Sequence, residues 1–256
     1  MTFAELRKMI QSRRNRDTVY SSVEFWDEKA KHYRGDAVSM WANPYLNELY
    51  DKEQKQVLDR FVSILELGST ILDLGCGTGR ICRYLASNGF NMTGVDYSEP
   101  TIEIARDITD GENPNYIFAS YHNLPNDVEY DVLLSVASLT IVCRNRSDLS
   151  GIVQKLKNVL KPNGTIILIE PIHRGFLHRV CDLSLNEFTK VLESSGFEVN
   201  RVVELHFWPA RLILSYFPIP HTITNFIYRV GQRLLHGLFR NRSMGDYKAI
   251  LAVKKE

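Results

Sequence analysis

Thr70-Ile71-Leu72-Asp73-Leu74-Gly75-Cys76-Gly77-Thr78-Gly79-Arg80 reads as a buried strand running into a glycine turn and then a helix. A second short apolar run follows and ends in Val95-Asp96-Tyr97-Ser98. Gly75, Gly77 and Gly79 permit backbone angles closed to other residues and let a ligand come close to the main chain. A carboxylate, Asp73 or Asp96, therefore stands at each of two consecutive strand ends, beside a turn suited to something small.

Charge narrows the ligand. A dinucleotide site uses G-x-G-x-x-G and aims a helix N-terminus at a pyrophosphate. In this chain the spacing is G-x-G-x-G, Arg80 falls where the last glycine would stand, and Asp73 would repel a pyrophosphate. A zwitterion with a cationic amino-acid end and a ribose end suits the two acids, with Asp96 on the ribose hydroxyls. S-adenosylmethionine has that form. The turn and the acid after it resemble those of the class I, Rossmann-like, S-adenosylmethionine-dependent methyltransferases. The alternative is a glycine-rich turn of some other α/β domain.

Composition agrees with a globular enzyme. With 256 residues, 44% hydrophobic and 24% charged, the chain is long enough for a sizeable core, and its formal net charge of +1 gives no strong nucleic-acid signal. Cys76, Cys82, Cys143 and Cys181 are dispersed, with no C-x-x-C pair and no clustered histidines, so neither a disulfide framework nor a metal site is expected. The N-terminus lacks the apolar run of a signal peptide and no stretch approaches a membrane span, which makes a cytoplasmic protein the expectation.

From residue 69 short apolar runs alternate with helical ones, the pattern of an α/β fold with a parallel sheet flanked by helices. Strands are expected at Thr70 to Leu74, Asn91 to Val95, Tyr116 to Ala119, Tyr130 to Val136, Thr165 to Glu170, Glu198 to Phe207 and Tyr247 to Val253. Helices are expected at Gly79 to Ser87, Glu99 to Asp107 behind the N-cap Ser98, and Ser147 to Leu160, the last stopped by Lys161-Pro162-Asn163-Gly164. Ser184-Leu185-Asn186-Glu187 is a capping box that opens another. Residues 1–68 read as a helical cover (Ala4 to Arg13, Val23 to Tyr33, Pro44 to Leu67), residues 69–207 and 246–256 as the cofactor-binding core, and 208–245 as an insertion before the last strand. In the resembled family this is a seven-stranded Rossmann-like sheet whose last strand inserts antiparallel between the fifth and sixth.

The resemblance continues through the core. Tyr116 to Pro125 is similar to a segment that carries G-D-A-x-x-L-P in many relatives, where the aspartate meets the adenine amino group. Ser120 stands at that position and, being uncharged, would bind more weakly, while Tyr121 could lie against the adenine face. Tyr130 to Ile141 is similar to the fourth-strand motif, which implies that Val136 passes beside the methionine portion. Relatives often place histidines after it, where this chain has Thr140-Ile141. Asp131 is read as a structural group at the strand start in preference to a catalytic one. Trp26, Asp27, Ala30 and Tyr33 resemble the W-D-x-x-A-x-x-Y segment that closes over the cofactor, with Tyr33 chosen as a cofactor contact; a plain aromatic packing stripe is the competing interpretation. Tyr97, after Asp96, completes the cofactor set.

Methyl transfer is an in-line displacement at a sulfonium methyl, which a dry site accelerates by alignment and needs no metal. A base helps only with a hydroxyl or acidic carbon acceptor. His173, after the fifth strand in Glu170-Pro171-Ile172-His173, is the candidate base, followed by His122; a solvated loop histidine is the alternative for each. The acceptor is expected to be a small, partly apolar or lipid-like molecule, a quinone-type or isoprenoid precursor by analogy. RNA or protein as acceptor, and a non-catalytic S-adenosylmethionine-binding scaffold, are the alternatives.

The insertion has the oddest composition. From Leu205 to Gly245 there is no acidic residue, whereas Arg211, Arg229, Arg233, Arg240 and Arg242 all fall there. Within Ile223 to Arg240, Ile223, Phe226, Ile227, Val230, Leu234, Leu235, Leu238 and Phe239 recur at helical spacing, opposite a face bearing Thr224, Asn225, Arg229, Gln232, Arg233, His236 and Arg240. Three readings stand: a lid packed on the enzyme's own core, peripheral membrane contact through residues 209–243, or a homodimer contact.

Overall fold

The computed structural model describes residues 20, 22–31, 41–124 and 128–255. The expected helix at Ala4 to Arg13 and the cofactor contact assigned to Tyr33 lie outside the described residues. The sheet comprises β1 (Thr70–Leu74), β2 (Asn91–Asp96), β3 (Asn115–Phe118), β4 (Tyr130–Val136), β5 (Leu160–Glu170), β6 (Phe197–Phe207) and β7 (Gly245–Lys254), in the order β3-β2-β1-β4-β5-β7-β6. All pairs are parallel except those of β7, which runs antiparallel to both β5 and β6. The seven-stranded Rossmann-like fold with an inserted last strand is thus present. Order reverses at β1 and β4, so the carboxyl ends of β1, β2 and β4 open a crevice, the usual ligand site of such sheets.

Helices cover both faces: α1 (Val23–Lys31), α2 (Pro44–Val62), α3 (Arg80–Ser87), α4 (Glu99–Asp107), α5 (Leu139–Val142), α6 (Arg146–Asn158), α7 (Leu185–Ser194), α8 (Trp208–Leu214) and α9 (His221–His236). One apolar layer joins α2 and α3 to the sheet through Leu46, Phe61, Ile71, Leu85 and Tyr247. The opposite layer joins α6 and α7 to it through Leu72, Leu133, Val153, Leu168 and Phe188. Local chemistry sets the boundaries. Asn43 accepts from Tyr45 and Leu46 N–H to cap α2, Ser98 caps α4, and the Ser184–Glu187 capping box at the start of α7 is fully formed.

Three expectations are corrected. Lys161-Pro162-Asn163-Gly164 does not end a helix outside the sheet: α6 stops at Asn158 and β5 begins at Leu160, which pairs with Tyr130 before the register shifts to Val132 with Thr165. Asn163, at φ 57, lies inside that irregular stretch. The helix α2 ends at Val62, earlier than Leu67, where Ser63 N–H still donates to Asp59 O and the chain then turns toward β1. In α9 the apolar positions do not form one buried face. The buried residues are Thr224, Tyr228, Gly231 and Leu235, while Ile223, Phe226 and Val230 are exposed. The reason is close packing: a Cβ on Gly231 would lie 3.0 Å from Ala210 Cβ and 3.2 Å from Phe207, and Thr224 Oγ1 accepts from Asn43 Nδ2 at 3.0 Å.

Asp131 has the structural role. Its carboxylate accepts from Thr70 N (2.8 Å), Thr70 Oγ1 (2.7 Å) and Lys161 Nζ (2.8 Å), clamping β1, β4 and β5 at their amino ends. Burial works against its ionisation, but Lys161 and then Thr70 hold the carboxyl down to about 2. A depressed carboxyl contributes stability above its unfolded value and loses it as pH falls through the folded one. Asp131→Asn is therefore expected to lower the melting temperature at pH 7, with the gap to wild type closing between about pH 4 and pH 2. A gap that stays constant down to pH 2, followed by thermal melts, would remove the clamp from the account.

Candidate active site

The glycine turn sits in the crevice, and its three glycines do different work. A Cβ on Gly75, at φ 71, would lie 1.8 Å from Ser138 Oγ, and one on Gly79, at φ 78, would lie 2.1 Å from Tyr116 Oη. Those two glycines let the turn press against the segment after β4 and against β3. Gly77, at φ 56, has nothing among the described residues within 4 Å of such a Cβ. Its free side faces a cavity of about 290 Å³ that is also lined by Gly75, Asp96, Tyr97, Val136 and Ser138. Open space over an exposed main-chain turn is what a ligand lying on that turn requires.

Asp96 is held in place by the turn it serves: Oδ2 accepts from Gly77 N and Oδ1 from Ser98 N, both at 3.0 Å. Burial raises its pKa, opposed by those backbone donors. Asp73 is placed differently. It is buried behind the turn, outside the cavity wall, with Cys82 Sγ 3.2 Å from its Oδ2, and burial pushes its carboxyl up to about 6. Gly79 likewise stands behind the wall.

An adjoining cavity of about 240 Å³ shares Gly75, Asp96, Tyr97, Ile141 and Val142 with the first and is lined by Ser120 and Tyr121. Tyr121 does not lay its ring free along that space. Its hydroxyl is buried, 3.2 Å from Leu74 O and 3.1 Å from Ser135 Oγ, bolting the loop to the ends of β1 and β4. His122 is exposed, with Nδ1 3.2 Å from Lys155 Nζ.

At the other end of the first cavity, α1 contributes Phe25, Trp26 and Ala30, and Tyr20, Trp41, Arg179 and Tyr247 complete the wall. His173 lies behind this wall. Its Nε2 is 2.8 Å from Asp246 O, and because a carbonyl only accepts, Nε2 carries the proton. Burial lowers its pKa, so the ring is neutral near pH 7. Asp246 gathers the surrounding charges: Arg211 Nε at 3.0 Å, His173 Nε2 at 3.6 Å, Arg179 Nη2 at 4.0 Å and Tyr50 Oη at 3.2 Å. Burial alone would raise its pKa, but Arg211 first, then His173 and Arg179, hold the carboxyl well below the usual range.

The sequence reading missed Trp41, Arg179, Arg211, Asp246 and Glu170. Fully buried Glu170 accepts from Ser135 Oγ, Ser138 N, Leu139 N, Thr140 N and Thr140 Oγ1 at 2.7 to 3.2 Å. It thereby orders the segment after β4 that lines the cavity. The available signal was Asp246 itself, the first acid after a long stretch whose charges are all arginine.

Residues 72–168 match the family described as a methyltransferase domain. Ubiquinone biosynthesis O-methyltransferase of Rickettsia prowazekii (strain Madrid E) is 35% identical over 100 residues, 38% of either protein. The enzyme of the same name from Hydrogenovibrio crunogenus is 34% identical over 101 residues, 38% of this chain and 40% of its own. The chain thus matches about two fifths of the length of these relatives. Among solved structures, magnesium protoporphyrin IX methyltransferase from Synechocystis PCC 6803 with bound S-adenosylmethionine superposes with a TM-score of 0.60 at 16% identity, over 96% of this chain and 97% of its own. The cyclase SpnF superposes with a TM-score of 0.57 at 20% identity over 80% of each chain, so the shared fold does not choose the reaction.

Residues 72–168 thus carry the likeness to a methyltransferase domain, and the sheet around them has the Rossmann-like methyltransferase fold. The open face of Gly77 with Asp96 beside it fits the ribose and amino-acid ends of S-adenosylmethionine, the ligand bound in the Synechocystis structure. Asp96→Ala is expected to weaken S-adenosylmethionine binding by about tenfold or more, the usual cost of losing charged hydrogen bonds. Titration calorimetry reads this directly; an unchanged affinity would take Asp96 out of the site.

Proposed function

We propose that this chain transfers the methyl group of S-adenosylmethionine to a small, partly apolar acceptor. One observation carries the reading: a single cavity joins the glycine turn and Asp96 to a wall of Tyr20, Phe25, Trp26, Trp41 and Tyr247. When bound, the cofactor supplies a sulfonium methyl, and the aromatic wall excludes water from the neighbouring space, which favours a displacement that consumes charge. The matched relatives are named for an O-methylation in ubiquinone biosynthesis, which supports an oxygen on a quinone-type acceptor. The cavity's size and apolar lining favour a small molecule over RNA or protein. Labelled-methyl transfer from the full chain to fractionated lipids, small metabolites and RNA is expected to label the lipid or metabolite fraction. Label in RNA alone, or in none of the fractions while the cofactor still binds, would overturn this reading.

We also infer a cytoplasmic protein in peripheral contact with an anionic membrane. Among the described residues no helix is long and apolar enough to cross a bilayer. The insertion instead exposes large apolar side chains, including Ile213 (59%), Phe226 (69%) and Leu238 (76%), alongside exposed Arg229, Arg233, Arg240 and Arg242. On α9, Ile223, Phe226 and Val230 form a stripe that helical spacing sets beside Arg229 and Arg233, the arrangement of an interfacial helix. The four unpaired, buried cysteines suit a reducing compartment. The protein should sediment with vesicles containing phosphatidylglycerol and lose this on Phe226→Ser with Arg229→Glu and Arg233→Glu. Failure of the wild type to sediment at low salt would exclude the contact, and a concentration-dependent dimer lost in the same variant would assign the face to a second copy.

A further inference from the structure

Ser98 stands between two carboxyl groups and is bonded to both. Its backbone N–H donates to Asp96 Oδ1 at 3.0 Å, and its side-chain Oγ donates to Asp27 Oδ1 at 2.5 Å. Thr101 fills the rest of the hydroxyl's capacity: its Oγ1 lies 2.7 Å away and its N–H donates to Ser98 Oγ at 3.4 Å. A serine hydroxyl carries one proton, and a separation of about 2.5 to 2.7 Å is that of a hydroxyl donating to a carboxylate oxygen. The proton therefore goes to Asp27, and Thr101 Oγ1 donates to Ser98 in turn. Ser98 is fully buried and caps α4, so its position is fixed by the start of that helix.

The two carboxyl groups belong to opposite parts of the first cavity. Asp96 ends β2 beside the glycine turn, where Gly77 N–H also donates to it. Asp27 lies on α1, whose Phe25, Trp26 and Ala30 form part of the cavity's apolar wall. One serine thus joins the holder of Asp96 to α1 across 71 residues of chain. The joint has an electrostatic cost. Burial raises the pKa of Asp96 against its backbone donors, and Asp27 adds to the rise; burial, then Asp96 and Asp27, likewise push up the phenol of Tyr97. Like charges this near repel, and the donors of Ser98 offset the repulsion. For packing alone an apolar residue at position 27 would serve without that cost, so the carboxyl group has a use besides packing.

We propose that Asp27 is a positioning residue for the methyl donor: through Ser98 it fixes α1 to the holder of Asp96, so that the apolar wall and the Asp96 carboxylate close as one unit around bound S-adenosylmethionine. The proposal rests on the methyltransferase reading of the same cavity. Neither Asp27 nor Ser98 lines that cavity, whereas Asp96, Tyr97, Thr101 and the α1 residues do. A ligand seated on the glycine turn lies between the turn and α1, so breaking the Asp27–Ser98 bond opens its way out while leaving the groups it touches unchanged. Loss of that bond acts on the rate at which the ligand leaves.

The test is surface plasmon resonance with S-adenosylhomocysteine over the immobilised full chain, together with hydrogen–deuterium exchange of the unliganded protein. Asp27→Ala is expected to raise the dissociation rate about fivefold or more while changing the association rate by less than about twofold. Asp27→Asn, whose amide oxygen still accepts from Ser98, should recover most of the loss. Asp27→Ala combined with Ser98→Ala should be no worse than the worse single variant, because both remove the same bond. In the exchange arm Asp27→Ala should deprotect residues 23–31 and 96–101 together, with the remaining strands unchanged. An unchanged dissociation rate in Asp27→Ala, no recovery in Asp27→Asn, effects that multiply in the double variant, or deprotection confined to residues 23–31 overturns the proposal. No binding of S-adenosylhomocysteine by wild type would instead overturn the methyltransferase reading, and the exchange arm would still decide whether α1 and the holder of Asp96 are one unit.

Discussion

The buried carboxylate of Asp246 ties together parts of the chain that are far apart in sequence. It stands on β7, the strand that enters antiparallel between β5 and β6, and it is met by Tyr50 from α2, His173 and Arg179 from the segment after β5, and Arg211 from α8. Burying a carboxylate is costly unless it is paired and hydrogen-bonded, and removing one member of such a cluster leaves the others uncompensated, at a cost of about 3–5 kcal/mol. The cluster therefore gains little stability over an apolar core of equal volume. It specifies an arrangement: the helical cover, the insertion and the last strand must all arrive for Asp246 to be satisfied.

A second buried knot repeats the logic a short distance away. His206 Nδ1 is 2.9 Å from Glu53 Oε2 and 2.8 Å from Tyr228 Oη, and Tyr228 donates to Glu53 as well. The Tyr50 ring stacks on the His206 ring with centroids 3.6 Å apart. Tyr50 thus belongs to both knots. Through it α2 is fastened to β6, to α9 and to Asp246 at once, so the far end of the cavity is set by the same contacts that attach the insertion.

This divides labour along the cavity. The donor end is built from the ends of β1, β2 and β4 and their turns, with hydrogen bonds of short sequence range such as Gly77 to Asp96 and Ser98 to Asp96. The far end is lined by Trp41, Arg179 and Tyr247, which are distant from one another in the chain and lie against the Asp246 cluster. A common domain can keep the first end and change substrates through the second, as sites grafted on a shared fold do. The exposed apolar and arginine side chains of α8 and α9 lie on the outside of those same elements.

The sequence alone determined the α/β core, the glycine turn and the second acid, because each is written in adjacent residues: strand and helix periods, φ above zero at glycine, and capping groups such as Ser98 and Ser184. Asp131 as a clamp was also legible from its place at a strand start. Only the tertiary structure decided which of Gly75, Gly77 and Gly79 faces the ligand, that Asp73 and His173 stand behind the wall, and that α9 buries its small and polar-tipped face while exposing Phe226. Close packing settles those, and it depends on what lies opposite. The Asp246 cluster was illegible for the same reason. Its members act only through separations of about 3 to 4 Å in a low-dielectric interior, and distance along the chain carries no record of that approach.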